Sequence, residues 1–171
     1  MTLVNDPPAD ARVARAADGV STYESLRLAV LDELAQTQLD GRDRAAVERL
    51  VRAHVDRYQQ RAEAGECRRL ANPSEVVARL VRSLIGAGPF ERFFTDPDLA
   101  DEVSFKGSTI TFFTRDGRQV VDHEPTSEAE LTAICQRLLS DAGAAVDLEN
   151  PVVVHQIWGN RVRASVSIPP V

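Results

Sequence analysis

An α+β fold follows from a change of period along the chain. Three stretches with apolar residues at helical spacing come first, and short alternating stretches joined by Gly-containing turns follow Gly88-Pro89. One further helical stretch lies between two predicted hairpins, so the second half reads strand, hairpin, helix, hairpin. The expected organisation is a flexible arm over residues 1–20, a three-helix bundle over 21–88, and an antiparallel sheet with a packed helix over 89–171.

Residues 1–20 are rich in Ala, Asp, Pro and Arg without sustained periodicity, hence the arm. Ser21-x-x-Glu24 has the form of a capping box, and Tyr23, Leu26, Val30, Leu31 and Leu34 recur at helical spacing, which predicts a first helix over about 22–37. Asp43 caps a second, over roughly 43–63, with Val47, Leu50, Val51, His54, Val55 and Tyr58 on one stripe. The third opens at Asn72-Pro73-Ser74-Glu75, where Asn is the N-cap and Pro fits the first helical position, and it stops at Gly86. Its double apolar row is Val76, Val77, Leu80, Val81, Leu84 and Ile85.

Beyond Pro89, Asp96-Pro97-Asp98 reads as a turn and residues 102–105 and 109–114 as strands. Arg115-Asp116-Gly117-Arg118 is a hairpin signal leading into 119–123. Ser127-x-x-Glu130 is another capping box, starting a helix in which Leu131, Ile134, Cys135, Leu138 and Leu139 share a face. Residues 152–158 and 161–168 form a second hairpin about Gly159-Asn160.

Composition narrows the chemistry. The net charge of −6 argues against wholesale polyanion binding, and no nucleic-acid partner is expected. Charge is uneven, however: residues 42–82 are net +4, residues 91–149 net −8, and residues 150–171 carry Arg161 and Arg163 with no acid. The only Lys is Lys106, in Phe105-Lys106-Gly107-Ser108. That order is wrong for a phosphate-cradling loop, whose Lys follows a Gly and precedes Ser or Thr, so the chain has no Walker A motif of its own. Two cysteines, Cys67 and Cys135, are too few for a disulfide scaffold and point to a reducing interior. No signal-peptide pattern or bilayer-length apolar run is present in the sequence, so a cytoplasmic protein is expected. With aromatics at only 5%, the core is expected to rest on Leu, Val, Ile and Ala.

Candidate reactive residues are few. His54, on the apolar stripe, reads as a packed core histidine; His123 as part of a surface turn; His155 as structural or exposed. Cys135 lies on an apolar helix face, which raises a thiol pKa, and Cys67 lacks an identifiable base. No nucleophile elbow or paired-carboxylate motif is seen, so neither catalysis nor a metal site is expected in this chain alone. The last strand is richer. Period-two alternation puts Arg161, Arg163, Ser165 and Ser167 on one face and Val162, Ala164, Val166 and Ile168 on the other. Two guanidinium forks beside two hydroxyls suit a phosphate or carboxylate, with His155 and Trp158 as a stacking edge.

A succession of motifs resembles one family. Leu84-Ile85-Gly86-Ala87-Gly88-Pro89-Phe90-Glu91-Arg92-Phe93-Phe94-Thr95-Asp96-Pro97, then Asp101-Glu102-Val103-Ser104-Phe105-Lys106-Gly107, then Thr111-Phe112-Phe113-Thr114-Arg115-Asp116-Gly117-Arg118 are similar to consecutive segments of CpaF-type secretion ATPases, the motors of type II/IV secretion and tight-adherence pili. Asn150-Pro151-Val152-Val153-Val154 through Gly159-Asn160-Arg161-Val162 to Ile168-Pro169-Pro170 continues the likeness, which covers about residues 75–171.

The resemblance implies the N-terminal region of such a motor, without its RecA-like ATPase domain. It implies a PAS-like domain that closes over nucleotide and contributes arginines to it. Arg161 stands at the family's arginine position, and Arg163 is the second nucleotide-facing candidate. ATP and Mg would belong to the full-length parent, with none bound to this chain alone. Implied partners are the C-terminal RecA-like domain, neighbouring subunits of a homo-hexamer and an inner-membrane platform protein, at the inner face of the cell membrane. Three departures stand out: Gln156 occupies a family arginine position, Val154 replaces an aspartate, and the following turn is one residue shorter. The alternative reading is a stand-alone protein-interaction or ligand-binding module.

Overall fold

The computed structural model describes residues 9–37, 41, 43–96, 98–100, 102–122, 124, 126–159 and 161–167, with side chains from residue 22 onward. Within them are five α-helices, a 3-10 turn and two small antiparallel sheets, an α+β architecture. The helices are α1 (Ala9–Thr37), α2 (Arg44–Glu63), α3 (Pro73–Ile85), α4 (Glu91–Thr95) and α5 (Glu128–Asp141). The strands are β1 (Glu102–Lys106), β2 (Thr109–Phe113), β3 (Gln119–Val121), β4 (Val152–Ile157) and β5 (Val162–Ser167).

Three helix starts lie where side-chain chemistry places them. Asp43 accepts from the Ala45 and Ala46 N–H groups, Asn72 from Glu75 N–H, and Ser127 from Glu130 N–H, each satisfying donors that a first turn leaves orphaned. The Ser21 box does not start a helix. α1 already runs from Ala9, so residues 9–20, expected as part of an arm, are helical. Their run of Ala and Arg has high intrinsic helix propensity, which outweighs the missing apolar stripe. Residues 1–8 lie outside the described residues.

The first core lies among α1, α2 and α3. Val30, Val47, Val51 and Leu80 are fully buried there, with Tyr23, Leu26, Leu50, Val55, Val77 and Val81 around them. Each such side chain contributes roughly 1.5–3 kcal/mol of burial. Arg49, Arg52, Arg57 and Arg61 remain exposed on α2.

The second core is built on α5 and both sheets: Ala87, Phe90, Ile110, Leu131, Ile134, Leu138, Leu139 and Ile157. One sheet has the order β1-β2-β3, with Val103 opposite Phe112 and Phe105 opposite Ile110. β4 and β5 pair only with each other, so the single expected sheet is two. Aromatic residues knit them together. From the segment comprising the 3-10 turn (Gly88–Phe90) and α4, Phe90 packs on Phe105 (centroids 5.7 Å apart), Phe93 on Phe112 (5.0 Å) and Phe94 on Trp158 (5.5 Å). The aliphatic-core expectation therefore suits the first half, whereas the second depends on these ring contacts, worth about 0.5–1.5 kcal/mol each beyond burial.

Candidate functional site

The β4–β5 hairpin presents its outward face by simple alternation. Val162, Ala164 and Val166 turn toward the core, and Arg163, Ser165 and Ser167 are exposed. Across the ladder Gln156 stands opposite Arg163, Val154 opposite Ser165 and Val152 opposite Ser167. Directly opposed residues share a face, so the outward surface mixes one cation, an amide, two hydroxyls and two valines. Arg161 is exposed in the turn just before β5. Among the described residues neither the Arg161 nor the Arg163 guanidinium has a hydrogen-bond or ion-pair partner. An open depression of about 450 Å³ is lined by Val154, His155, Gln156 and Arg163.

Trp158 adopts φ 53° and Gly159 φ 64°, and Arg161 N–H donates to Trp158 C=O at 3.4 Å. A left-handed conformation at a bulky residue costs on the order of 1 kcal/mol, which the Trp158–Phe94 contact offsets. That contact corrects the expected stacking edge: Trp158 is committed to Phe94. His155, opposite Ala164 on the inner-face register, lies 3.0 Å through Nε2 from the Ala142 carbonyl. His155 is nonetheless exposed and lines the depression with Arg163, whereas Trp158 does not.

Magnitudes define what this surface can do alone. An exposed ion pair is worth about 0–1 kcal/mol, whereas even millimolar affinity requires about 4 kcal/mol. Two solvated guanidiniums therefore cannot retain a nucleotide unaided. They become strong only if a second surface excludes water around the same phosphates.

The remaining candidates are structural. His54 Nε2 is 2.8 Å from Glu33 Oε2, which also receives Arg57 Nη2 at 3.0 Å, so His54 joins α2 to α1. Hydrogen bonding from Arg57, and then from His54, holds the Glu33 carboxyl below its ordinary range. Burial pushes the Cys135 thiol up to about 11, which makes it a poor nucleophile. Half-buried Cys67 donates weakly to the Tyr58 carbonyl at 3.7 Å. Lys106 is exposed at the end of β1. The His123 reading falls outside the described residues. No group of three or more His, Cys, Asp or Glu among the described residues is placed to hold a metal ion. No described helix is long and apolar enough to cross a membrane.

One constellation was invisible in the sequence. The Glu130 carboxylate, expected to turn back onto its own helix start, points into the seam between the two cores and is 1% exposed. Its Oε1 accepts from the Tyr23 hydroxyl at 2.7 Å. Arg79 lies over the Tyr23 ring, 3.6 Å from its centroid, and pairs with Glu124 at 3.3 Å; its Nη2 is 3.9 Å from Glu130 Oε2. Burial, then the neighbouring Glu130 charge, raise the Tyr23 hydroxyl far above its ordinary pKa, keeping it a donor. Nearby, Arg137 of α5 donates to the Leu84 and Gly86 carbonyls at the C-terminal end of α3. The only sequence signals for the seam are an Arg inside the apolar row of α3 and a capping-box Glu with a second possible use.

No protein-family model matches the chain, and a search of curated proteins finds no significant match.

Proposed function

We propose that the chain is the non-catalytic N-terminal module of a hexameric type II/IV secretion or pilus-assembly ATPase. It closes over nucleotide held by a C-terminal RecA-like domain and couples turnover to motion at the inner face of the cell membrane. On this reading the first three helices are its bundle and the two sheets with α5 its PAS-like domain. ATP and Mg belong to the parent, and the partners are the RecA-like domain, neighbouring subunits and the membrane platform. The observation that carries the reading is the pair of exposed guanidiniums, Arg161 and Arg163, without a hydrogen-bond or ion-pair partner among the described residues, in a sequence with no phosphate loop. Such groups neutralise developing phosphate charge once a partner surface excludes water. The ordered succession of family-like motifs over residues 75–171 supports the same assignment. Gln156, opposite Arg163, lacks the charge of the family arginine, so the two remaining arginines carry the phosphate contact. The test is the reading frame after codon 171, which on this account runs into a Gly-x-x-x-x-Gly-Lys-Ser/Thr loop; a stop codon there would count against it.

The second reading, a stand-alone interaction module, draws on a different feature of the same surface. Val152 and Val154, 64% and 51% exposed, share the outward face of β4, and Val154 lines the depression. An apolar strip of this kind fits a protein surface better than a nucleotide. Binding of a protein by the chain, unaffected by ATP and by Arg161→Ala, would favour it.

A further inference from the structure

We propose that the helical half and the sheet half are two preformed bodies jointed at Gly86, and that the Tyr23–Glu130–Arg79 clasp is the catch that holds them shut. This inference is independent of the ATPase reading. Each half has its own apolar cluster, one from α1–α3 and one from α5 with both sheets. The chain crosses between them once: Ile85 packs with the first cluster and Ala87 belongs to the second. The seam itself is polar. Tyr23 and Arg79 come from the helical side, Glu124 and Glu130 from the sheet side, and Arg137 reaches across to the carbonyls on either side of Ile85.

Two buried polar atoms point to metastability. Among the described residues, the side-chain oxygens that are buried without a hydrogen-bond partner are Thr126 Oγ1 and Glu130 Oε2, both near the start of α5, and Glu130 lies on this seam. A half-satisfied buried network is less stable than either a fully paired one or an apolar contact. Opening would admit water to the Glu130 oxygen. It would also free the Glu130 carboxylate to return to the Ser127 N–H and complete the capping box that the closed state leaves unfinished, since Ser127 already accepts from Glu130 N–H at 3.1 Å. Glu130 thus has a satisfied partner in each arrangement, and a two-state joint requires such an element. Gly86, extended at φ −102°, stands at the crossing, where a side chain would collide with the Glu91 carboxylate and the Arg82 carbonyl, so only glycine fits the closed joint.

Hydrogen exchange on the intact chain tests this, with Tyr23→Phe removing one oxygen and Glu130→Gln removing charge while keeping shape. The expected result for Tyr23→Phe is about tenfold faster exchange in the first turn of α5 and the last turn of α3, with the middle of α2 and residues 134–139 within about twofold of wild type. A smaller change at the same amides is expected for Glu130→Gln. Acceleration spread evenly over both halves, or none at the seam, would overturn the proposal. Spin labels at exposed Gln60 and Gln119, in a background lacking Cys67 and Cys135, supply a second readout. Tyr23→Phe should add a longer inter-label distance; a single unchanged distance would contradict a joint.

Discussion

Gly88→Ala probes a close approach in the passage from helices to sheets. Gly88 has φ +55°, and a Cβ there would lie 2.4 Å from Ile134 Cδ1. Ile134 is 1% exposed, so its methyl has little room to retreat. The left-handed backbone contributes about 1–2 kcal/mol and the overpacking about 1–3 kcal/mol, giving roughly 2–5 kcal/mol in all. For a chain of this size that lowers the melting temperature by roughly 5–15 °C. Gly65→Ala separates the two costs: φ is +80° but nothing lies within 4 Å, so only about 1 kcal/mol is lost. Ile134→Val deletes the clashing methyl at its own cost of about 0.5–1.5 kcal/mol, and combined with Gly88→Ala it should recover at least about 1 kcal/mol of coupling. Urea titrations of the three single variants and the double mutant measure this. Additive losses, or a Gly88→Ala cost equal to that of Gly65→Ala, would refute the close approach.

Other outcomes follow from the same contacts. Leu80→Ala, at a fully buried site of the first core, should cost about 2–5 kcal/mol in chemical denaturation. In a thiol titration near pH 8 only about one part in a thousand of Cys135 is thiolate, given its value of about 11; it should react with a disulfide reagent far more slowly in the native protein than after unfolding. Hydrogen bonding from Arg27, 2.6 Å away, holds the Glu24 carboxyl below its ordinary 4.5. A carboxylate with a depressed native pKa stabilises fully above that ordinary value and loses its contribution as pH falls through the lower native one. Acid melts should therefore fall below about pH 4.5, and Glu24→Gln should flatten part of that decline.

Much of the fold was legible where local chemistry decides it. Asp43, Asn72 and Ser127 mark their helix starts because a short polar side chain at those positions binds orphaned N–H groups. Alternation in β5 identified the outward Arg163, Ser165 and Ser167 because the period of a strand is fixed. Ser21 misled because a capping-box pattern also occurs inside a helix, and Ala-rich residues 9–20 extend α1 by propensity alone. The segment holding Phe90, Phe93 and Phe94 is too short to show a period, so its bridging of the two sheets was hidden. Trp158 could not be assigned a side from its position in a turn. Glu130 was illegible for a deeper reason: its partner Tyr23 is 107 positions away, and only the packed seam decides which of two acceptor roles the carboxylate takes.

The claim that these residues grip a triphosphate pocket held by another domain is tested most directly by ATP turnover. The measurement compares the 171-residue chain alone with the chain joined to a RecA-like ATPase domain of the kind the proposal requires, each with and without Arg161→Ala. The account predicts no multiple turnover by the chain alone and activity in the joined protein. Arg161→Ala should lower that activity about tenfold or more, as expected for a lost phosphate contact, while changing stability by no more than about 0.5 kcal/mol. Multiple turnover by the isolated chain, or full activity without Arg161, would contradict it.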